Sequence, residues 1–326
     1  MGKFWVAGRD AGRVLNHISA NDVDGEAGRI TYTQWLNDKG TLEADLTVTK
    51  LGDGEFMVVV TDTMHRHAET WMRRHIPGDA QAMVTDVTSA YCQINVQGPR
   101  SRELLQTLTS TDLSNEAFPF RTAREIDIGF ARALCVRITY VGELGYELYI
   151  PAEQATHVYD RLVEASAPFG LRHAGLKALA SLRMEKGYRD YGHDIDNTDN
   201  AFETGLGFFV DLNKPNFIGR DAALKQKAAG PLTRRLAQVL VKDPEPMLFH
   251  AEVVRRNGKP VGYVRAGSYG HTLGGAVGLV MVEAGEPINA AYLKDARWEI
   301  DIAGELYPAE VSLRPFYDPD MKRIRA

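Results

Sequence analysis

One local pattern occurs twice in the first third of the chain, and it constrains the fold more than any other feature. The stretches FWVAGRDAGRVL (4–15) and INVQGPRSRELL (94–105) each read as a strand, a turn at glycine and a helix. An apolar run of strand length, then glycine, then apolar residues at helical spacing favours this succession of elements. Two copies of one such unit predict two related α/β subdomains.

The pattern of apolar and turn-forming residues changes after about Gly230. From about Leu236 to Val311, short alternating runs are broken by glycine, proline and asparagine, as in RRLAQVLV, AEVVRRNGKPVGYVRAG and AVGLVMV. Many short strands that are separated by glycine, proline and asparagine are typical of a small antiparallel barrel or sandwich. We therefore expect an α+β fold in which residues 1–229 hold the two related subdomains and residues 230–326 form a small antiparallel β-barrel.

Composition and missing motifs exclude several classes of function. The net charge of −5 on 326 residues argues against a nucleic-acid or anionic-membrane surface. No apolar run approaches the ~18 residues of a membrane span, and the N-terminus does not resemble a signal peptide. Cys92 and Cys135 have no metal or redox spacing, so we expect buried thiols, no metal site and a cytoplasmic protein. The absence of GxGxxG, P-loop, CxxC and HExxH motifs argues against a flavin or nicotinamide domain in these residues.

A candidate catalytic carboxylate lies in NDKGTLEADLTV. This stretch predicts a hairpin around Gly40, with Glu43 and Asp45 on one face of its second strand. For Glu43 we favour an exposed polar face. Asp45 is followed by the apolar Leu46 and Val48, so it is a candidate for a carboxylate at the inner end of the hairpin, where it would orient or deprotonate a cationic amine.

A second carboxylate stands in the middle of a predicted strand, in ITYVGELGYELYI. If the hairpin folds back through its turn glycines, Tyr140 and Glu147 both lie near its base. A ring beside a carboxylate suits a flat heterocycle with adjacent N–H donors, because the ring stacks and the carboxylate accepts two parallel hydrogen bonds. The alternative is a buried Glu147 paired with an arginine of the same domain. Glu143 is expected to be a solvated turn residue.

A polar, aromatic-rich segment follows a predicted helix in SLRMEKGYRDYGHDIDN. The helix ends at Gly187, with Arg183 in its last turn. A solvated loop is the simpler interpretation, but so many functional groups together are typical of the wall of a site. The final SLRPFYDP, which contains Arg314 and Tyr317, is expected to pack back onto the body. The polar segment comprises Tyr188, Tyr191, His193, Asp194 and Asp196.

At these stretches the sequence resembles the glycine-cleavage T-protein (aminomethyltransferase) family. The resemblance extends over essentially the whole chain in order, and it is greatest to the C-terminal folate domain of dimethylglycine and sarcosine dehydrogenases and oxidases. The motifs that carry it are YTQWLNDKGTLEADLTVTKL, VTDVTSAYCQINVQGPRSRELL, YVGELGYELYIP, GLKALASLRMEKGYRDYGHDID, FIGRDAAL and RPFYDP.

The resemblance implies a tetrahydrofolate site in a central cavity between the subdomains. It assigns Tyr140 and Glu147 to the pterin ring, Arg183 to folate binding and Asp45 to the neighbourhood of the reacting nitrogens. Tyr191 and Tyr317 belong to two of the matching stretches, and we expect them to contact the cofactor as well.

The implied reaction is a one-carbon transfer. An aminomethyl or methylene group from an amine-derived donor of the glycine, sarcosine or dimethylglycine type would pass to tetrahydrofolate and give 5,10-methylenetetrahydrofolate, with Asp45 acting by electrostatics or as general base. The implied partners are a flavin dehydrogenase subunit or a lipoyl carrier protein. Two alternatives stay open: a folate-dependent demethylase of the same fold, and a non-catalytic folate-binding subunit of a flavin dehydrogenase.

The sequence departs from the family pattern in three respects. Ala44 precedes Asp45 where the T-protein pattern usually has two adjacent acids, and the form EAD resembles the dehydrogenase-type domains instead. The first predicted strand begins directly after Met1, so residues 1–229 are expected to form an N-terminally short folate region with an exposed sheet edge. A flavin domain is missing from these residues, so the oxidising half is expected either to lie on another chain or to have been lost.

Overall fold

The N-terminal part of the chain forms a five-stranded antiparallel sheet. The computed structural model describes all 326 residues, Met1–Ala326. The strands are β1 (Gly2–Ala7), β2 (Ile30–Leu36), β3 (Leu42–Gly52), β4 (Glu55–Val60) and β5 (Met83–Asp86), and the helices are α1 (Ala11–Ile18) and α2 (His65–Arg74). The strand order is β2-β3-β4-β1-β5. The predicted hairpin around Gly40 is therefore the β2–β3 pair.

A second antiparallel sheet of four strands follows. Its strands are β6 (Tyr91–Gln97), β7 (Ala123–Ile128), β8 (Ala131–Val136) and β9 (Gly145–Pro151), and its helices are α3 (Ser101–Gln106) and α4 (Ala155–Ala165). The strand order is β6-β9-β8-β7. Cys135 on β8 is buried as expected, whereas Cys92 on β6 is only half-buried.

The two sheets repeat one strand order. The order β2-β3-β4-β1 in the first sheet corresponds to β7-β8-β9-β6 in the second. The turns after β1 and β6 also match, because Gly8 and Gly98 have φ angles of 132° and 118°. In each turn the glycine carbonyl accepts a backbone N–H from three residues further on, at 3.0 Å. Glycine adopts such backbone angles at little cost. The predicted pair of related subdomains is confirmed.

The two sheets face each other through one face each. Side chains alternate between the two faces of a strand. The outer faces pack against helices α1–α4 in two large apolar cores, and the inner faces meet in a smaller cluster. That cluster contains Ile30, Met57, Val59, Ala123, Val136 and Tyr149. Polar side chains on these inner faces are therefore the candidates for ligand contacts.

The C-terminal part of the chain is a closed antiparallel barrel, as predicted. Its strands are β10 (Arg234–Val241), β11 (Val253–Arg256), β12 (Lys259–Gly270), β13 (Gly275–Glu283), β14 (Trp298–Ile302) and β15 (Glu305–Ser312), in the order β10-β13-β12-β11-β14-β15. Helices α5 (Leu176–Glu185) and α6 (Arg220–Ala228) precede it, and α7 (Ala290–Lys294) lies within it. Gly230 lies in the connection between α6 and β10. No helix combines the length and the apolarity needed to cross a membrane.

Helix α5 ends at glycine and joins the sheets to the barrel. Gly187 has a φ of 65°, and the N–H groups of Gly187 and Tyr188 each bond back to the last turn at 3.0 Å, which caps the helix as predicted. The buried Glu185 carboxylate accepts the N–H groups of Thr272 and Leu273 from the β12–β13 turn, at 2.6 and 3.0 Å. The last helical turn is therefore anchored to the barrel.

The C-terminal tail packs back onto the body, as expected from RPFYDP. Phe316 donates its backbone N–H to the buried Gln238 side chain at 2.7 Å. Lys186, just after α5, forms a buried ion pair with Asp318 at 2.9 Å. These contacts hold the tail against the same helix end that carries the candidate site residues.

Candidate functional site

Asp45 lies on the inner face of the first sheet, without a basic partner. Its neighbours on β3, Ala44 and Leu46, point into the outer core. The Tyr32 hydroxyl donates to Oδ2 at 2.7 Å, and the Gln34 amide donates to Oδ1 at 2.9 Å. No arginine or lysine lies within the ~4 Å of an ion pair. Burial raises the pKa of Asp45 to about 6, although both hydrogen bonds act to lower it.

Glu43 is not the exposed residue that the sequence suggested. Its carboxylate is largely buried, accepts the Asn37 amide at 2.9 Å and lies 3.0 Å from the His67 Nε2. The hairpin turn and helix α2 close over it, which strand alternation alone did not reveal. Glu43 therefore has an imidazole beside it, whereas Asp45 has no basic neighbour within ion-pair distance.

Glu147 lies on the inner face of the second sheet. The Tyr149 hydroxyl donates to Oε2 at 2.6 Å, and Oε1 receives no hydrogen bond from the protein. No arginine or lysine is within ion-pair distance, so the alternative of a Glu147–arginine pair is wrong. Burial raises the pKa of Glu147, because the charged form loses solvation and no arginine or lysine compensates for it.

The hairpin before Glu147 is wider than predicted. β8 and β9 pair only as far as Val136 and Glu147, and residues 137–144 leave the sheet. Tyr140 therefore does not lie at the base of a tight hairpin. Its hydroxyl donates to the Arg189 carbonyl at 2.5 Å, and its ring stacks on Tyr188 with a centroid separation of 5.8 Å.

Arg183 is buried in an ion pair. Its Nη1 donates to Asp194 Oδ2 at 2.5 Å and to the Tyr188 carbonyl at 3.0 Å. Both partners come from the polar segment after α5, which therefore folds back over the helix end. A direct contact between Arg183 and folate stays a prediction, since this arginine already has a full partner in the structure.

The remaining two predicted contact residues have their hydroxyls bonded to protein. Tyr191 lies in the main apolar core and donates to the Leu42 carbonyl at 3.0 Å. Tyr317 donates to the Glu143 carboxylate, and burial together with this hydrogen bond raises the pKa of Tyr317 to about 12. Their roles as cofactor contacts stay predictions. Glu143 is not solvated as expected, because Tyr317 of the returning tail covers it and its Oε2 is buried.

Arg189 is the site residue that the sequence did not single out. Its Nη1 donates to the Gly187 carbonyl at 2.6 Å, and its Nε donates to the Thr204 carbonyl at 2.9 Å. No carboxylate lies within ion-pair distance of its guanidinium, and burial lowers the pKa of Arg189 while Tyr32, Asp194 and Asp45 act to raise it. The only sequence signal was its place in the polar segment.

Fold and site together define a protein of two related sheets and a barrel, with half-buried carboxylates on the facing sides of the two sheets. The family model described as GCVT N-terminal domain matches residues 1–214, and the model described as Glycine cleavage T-protein C-terminal barrel domain matches residues 234–318. The chain belongs to the glycine cleavage T-protein family, as the sequence motifs had indicated.

Curated relatives include larger oxidoreductases. A 4-methylaminobutanoate oxidase (formaldehyde-forming) from Paenarthrobacter nicotinovorans is 42% identical over 99% of this chain and 38% of its own length. The mitochondrial sarcosine dehydrogenase of Homo sapiens is 34% identical over 99% of this chain and 37% of its own length. The chain thus spans less than two fifths of these relatives.

Smaller relatives are matched over most of their length. An aminomethyltransferase from Clostridium botulinum is 33% identical over 87% of this chain and 76% of its own length. The crystal structure of the glycine cleavage system aminomethyltransferase T from Bartonella henselae superposes with a TM-score of 0.83 over 98% of this chain and 84% of that chain, at 22% identity. This superposition confirms the predicted fold, with its two sheets and C-terminal barrel.

The family binds tetrahydrofolate, and the residues between the sheets fit that ligand. The edge of a pterin ring presents adjacent N–H donors, which match a carboxylate such as Glu147 with an unused oxygen and no cationic partner. The half-buried Tyr140 ring offers aromatic surface for a flat ring. Asp45 supplies a second carboxylate on the opposite sheet.

Proposed function

We propose that this chain binds tetrahydrofolate between its two sheets and catalyses transfer of a one-carbon unit to it. The donor would be an amine of the glycine, sarcosine or dimethylglycine type, and the product 5,10-methylenetetrahydrofolate. The observation that carries the proposal is the Glu147 carboxylate, which is half-buried on the inner face of the second sheet, lacks an arginine or lysine partner and leaves one oxygen without a hydrogen bond. A ligand with N–H donors would supply the missing hydrogen bond.

Glu147 is the residue that would hold the pterin edge. The Tyr149 hydroxyl fixes the orientation of its carboxylate through Oε2, so that Oε1 points to the space between the sheets. When bound, tetrahydrofolate supplies the nitrogen nucleophile for the one-carbon unit. The role of Glu147 is to place that nucleophile in a fixed position, and positioning alone accounts for several kcal/mol of a barrier (roughly 7 or more in well-oriented systems).

Asp45 is the residue that would act on the reacting groups. Tyr32 and Gln34 hold its two oxygens, so that the carboxylate is oriented before any substrate arrives. At neutral pH it is mostly ionised, since its pKa is about 6. A fixed negative charge stabilises a cationic iminium donor, and the same group is suited to accept a proton from an amine.

Calorimetry with tetrahydrofolate under anaerobic conditions tests the binding half of the proposal. The parent chain should bind, and Glu147→Ala should lose binding while its circular dichroism spectrum stays that of the parent. Asp45→Asn should keep folate affinity within about tenfold, or roughly 1.4 kcal/mol. Equal affinity of the Glu147→Ala variant and the parent would remove the assignment.

The transfer half needs a source of the one-carbon unit. A flavin enzyme turning over sarcosine is mixed with tetrahydrofolate and this chain, and 5,10-methylenetetrahydrofolate is quantified by mass spectrometry. Yield should exceed that of the same mixture without the chain, and Asp45→Asn should remove the excess. A fully active Asp45→Asn variant would contradict the catalytic role. We propose such a flavoprotein as the delivering partner because several relatives are named dehydrogenases or oxidases.

A second candidate function is supported by one relative. The mitochondrial pyruvate dehydrogenase phosphatase regulatory subunit of Mus musculus is 33% identical over 94% of this chain and 36% of its own length. A relative named as a regulatory subunit favours a folate-binding role without catalysis. In that case tetrahydrofolate binds with the same dependence on Glu147, but no excess product forms in the transfer assay.

A further inference from the structure

The C-terminal tail, residues 313–326, crosses from the barrel to the second sheet. Near its start, Phe316 donates its backbone N–H to Gln238 of β10 at 2.7 Å. Near its other end, the Arg325 carbonyl accepts a hydrogen bond at 3.4 Å from Arg137, the first residue after β8. The tail therefore ties the barrel to the second sheet.

One tail residue reaches the loop between β8 and β9, residues 137–144. The Tyr317 hydroxyl donates to the Glu143 carboxylate, and both residues are half-buried. The backbone N–H of Tyr317 also bonds to the Glu185 carbonyl of α5 at 3.3 Å. No arginine or lysine lies within the ~4 Å of an ion pair with Glu143, and its Oε2 is buried without a hydrogen bond. The Tyr317 hydroxyl is thus the one protein group that donates to this carboxylate.

A buried ion pair secures the tail directly beside this contact. Lys186, just after α5, lies 2.9 Å from Asp318, and the two side chains are 2% and 8% exposed. The 137–144 loop packs against the same lysine, because a Cβ on Gly142 would lie 3.1 Å from the Lys186 side chain. The loop is therefore held at two adjacent residues, by Lys186 at Gly142 and by the tail at Glu143.

The same loop carries Tyr140 and leads into the strand of Glu147. The Tyr140 hydroxyl donates to the Arg189 carbonyl at 2.5 Å, and its ring stacks on Tyr188. β9 begins directly after the loop, so Glu143 precedes Glu147 by four residues. A contact that fixes the loop at Glu143 consequently acts on two candidate ligand-binding residues, one within the loop and one just beyond it.

We propose that Tyr317 is a positioning residue, which holds the 137–144 loop through the Glu143 carboxylate and so fixes Tyr140 for the ligand. In this role Tyr317 does not touch the ligand, in contrast to the direct contact expected from the sequence. A ring that is already ordered loses less conformational freedom on binding. The effect on tetrahydrofolate affinity rests on the proposed function, whereas the effect on the loop is a property of the free protein.

Hydrogen–deuterium exchange of the free protein tests the effect on the loop. Tyr317→Phe removes only the hydroxyl, so the amides of residues 137–144 should exchange about tenfold faster than in the parent, because the half-buried carboxylate loses its donor. Glu143→Gln retains an acceptor oxygen for the tyrosine and should exchange like the parent. Unchanged exchange of the loop in Tyr317→Phe would overturn the proposal.

Calorimetry with tetrahydrofolate on a double-mutant cycle tests how Tyr317 acts on the ligand. Tyr317→Phe and Glu143→Leu should each weaken binding about tenfold, and the double variant should be no weaker than either single variant, because both changes remove one and the same interaction. A further loss of about tenfold on adding Tyr317→Phe to Glu143→Leu would show that the tyrosine contacts the ligand itself. That result would contradict the proposal.

Tyr307 offers a matched control, because its hydroxyl also donates to a glutamate. The acceptor is Glu305 on the same barrel strand, β15, at 2.7 Å. Tyr307→Phe should change neither the exchange of the 137–144 loop nor tetrahydrofolate affinity. Changes equal to those of Tyr317→Phe would show a general loosening of the fold and would overturn the proposal. Faster loop exchange in a Tyr317→Phe chain whose parent binds no tetrahydrofolate would confirm that Tyr317 holds the loop and reject the proposed function.

Discussion

At the scale of single residues, the repeated strand order allows the two sheets to be compared position by position. Trp5 pairs with Met57 in the first sheet, and at the corresponding place of the second sheet Asn95 pairs with Glu147. Glu147 thus occupies the position of an apolar residue that packs at the interface between the sheets. The second sheet therefore has the Glu147 carboxylate where the first sheet has the apolar Met57 side chain. This difference is the reason for assigning Glu147 to ligand binding and Met57 to packing.

The first prediction replaces the hydrogen-bonded Glu147 and Tyr149 by apolar residues of similar size. In Glu147→Met/Tyr149→Phe both partners of one buried hydrogen bond are removed together, so the free energy of unfolding should stay within about 1 kcal/mol of the parent or exceed it. Tetrahydrofolate affinity should fall at least about 100-fold, roughly 2.7 kcal/mol. Urea denaturation and calorimetry measure the two quantities. A large loss of stability in the double variant would show that Glu147 is needed for the fold itself.

The second prediction concerns the pH dependence of stability at Asp45. Burial raises its pKa from 3.8 to about 6, so between these values the unfolded chain releases a proton that the folded protein retains. The contribution of Asp45 to the free energy of unfolding is fully present below pH 4, falls as the pH rises and levels off above pH 6. Asp45→Asn should therefore gain on the parent by about 2 kcal/mol between pH 4 and pH 7. Urea denaturation of both proteins across this range checks the direction. A stability of Asp45→Asn relative to the parent that increases towards acid pH would contradict the prediction.

At the scale of elements, the success of the sequence-based predictions depended on whether a contact was local. The strand–turn–helix units and the Gly187 cap follow from glycines at positive φ, and the surrounding residues reveal them. The 137–144 loop does not follow from its own sequence. Arg137 is buried, and it donates to the Phe118 carbonyl at 2.6 Å and to the Ala326 carbonyl at 2.9 Å, 189 positions further along the chain.

The candidate site shows the same difference between contacts that are local in the sequence and contacts that are distant. Asp45 and Glu147 were found because a carboxylate in an apolar strand is visible locally. Arg189 was missed, and the pairing of Arg183 with Asp194 was not foreseen, because both depend on how the polar segment folds back over α5. The covering of Glu143 by Tyr317 joins residues 174 positions apart.

The third prediction concerns the end of α5. Glu185→Ala leaves the Thr272 and Leu273 N–H groups of the β12–β13 turn without acceptors, which should lower the free energy of unfolding by about 2–3 kcal/mol. Glu185→Gln retains an acceptor oxygen and should lose less than half of that. Denaturant unfolding gives both values. Equal losses in the two variants would show that charge, and not hydrogen bonding, secures the helix end.

At the scale of the whole molecule, a buried ion-pair network joins the polar segment to the barrel. Asp199 accepts Arg265 Nη1 at 2.5 Å and Arg234 Nη2 at 2.7 Å, and it is fully buried. Both arginines belong to barrel strands. The network therefore couples the barrel to the loop that follows the Arg183–Asp194 pair.

The fourth prediction uncouples the barrel. Asp199→Asn leaves the buried Arg265 without its carboxylate, while Arg234 keeps Glu203 and Glu283, so the free energy of unfolding should fall by about 3 kcal/mol. Calorimetry should show the single unfolding transition broaden or split, and the barrel connection near Gly230 should become more sensitive to protease. Glu164→Gln removes an exposed pair with Arg161 and should change stability by less than about 0.5 kcal/mol. A sharp, unchanged transition in Asp199→Asn would mean that packing alone holds the barrel.

The strand order shared by the two sheets has a consequence for how such a site arises. At the edge where the sheets join, Arg29 bridges to Thr122, and these two are corresponding positions of the repeat. Elements that meet at corresponding positions are related by an approximate twofold axis, as in an isologous dimer. Two identical chains facing each other across such an axis must present the same residues. Joining both copies in one chain releases them from that symmetry, so that a carboxylate on one side is free to differ from the methionine on the other.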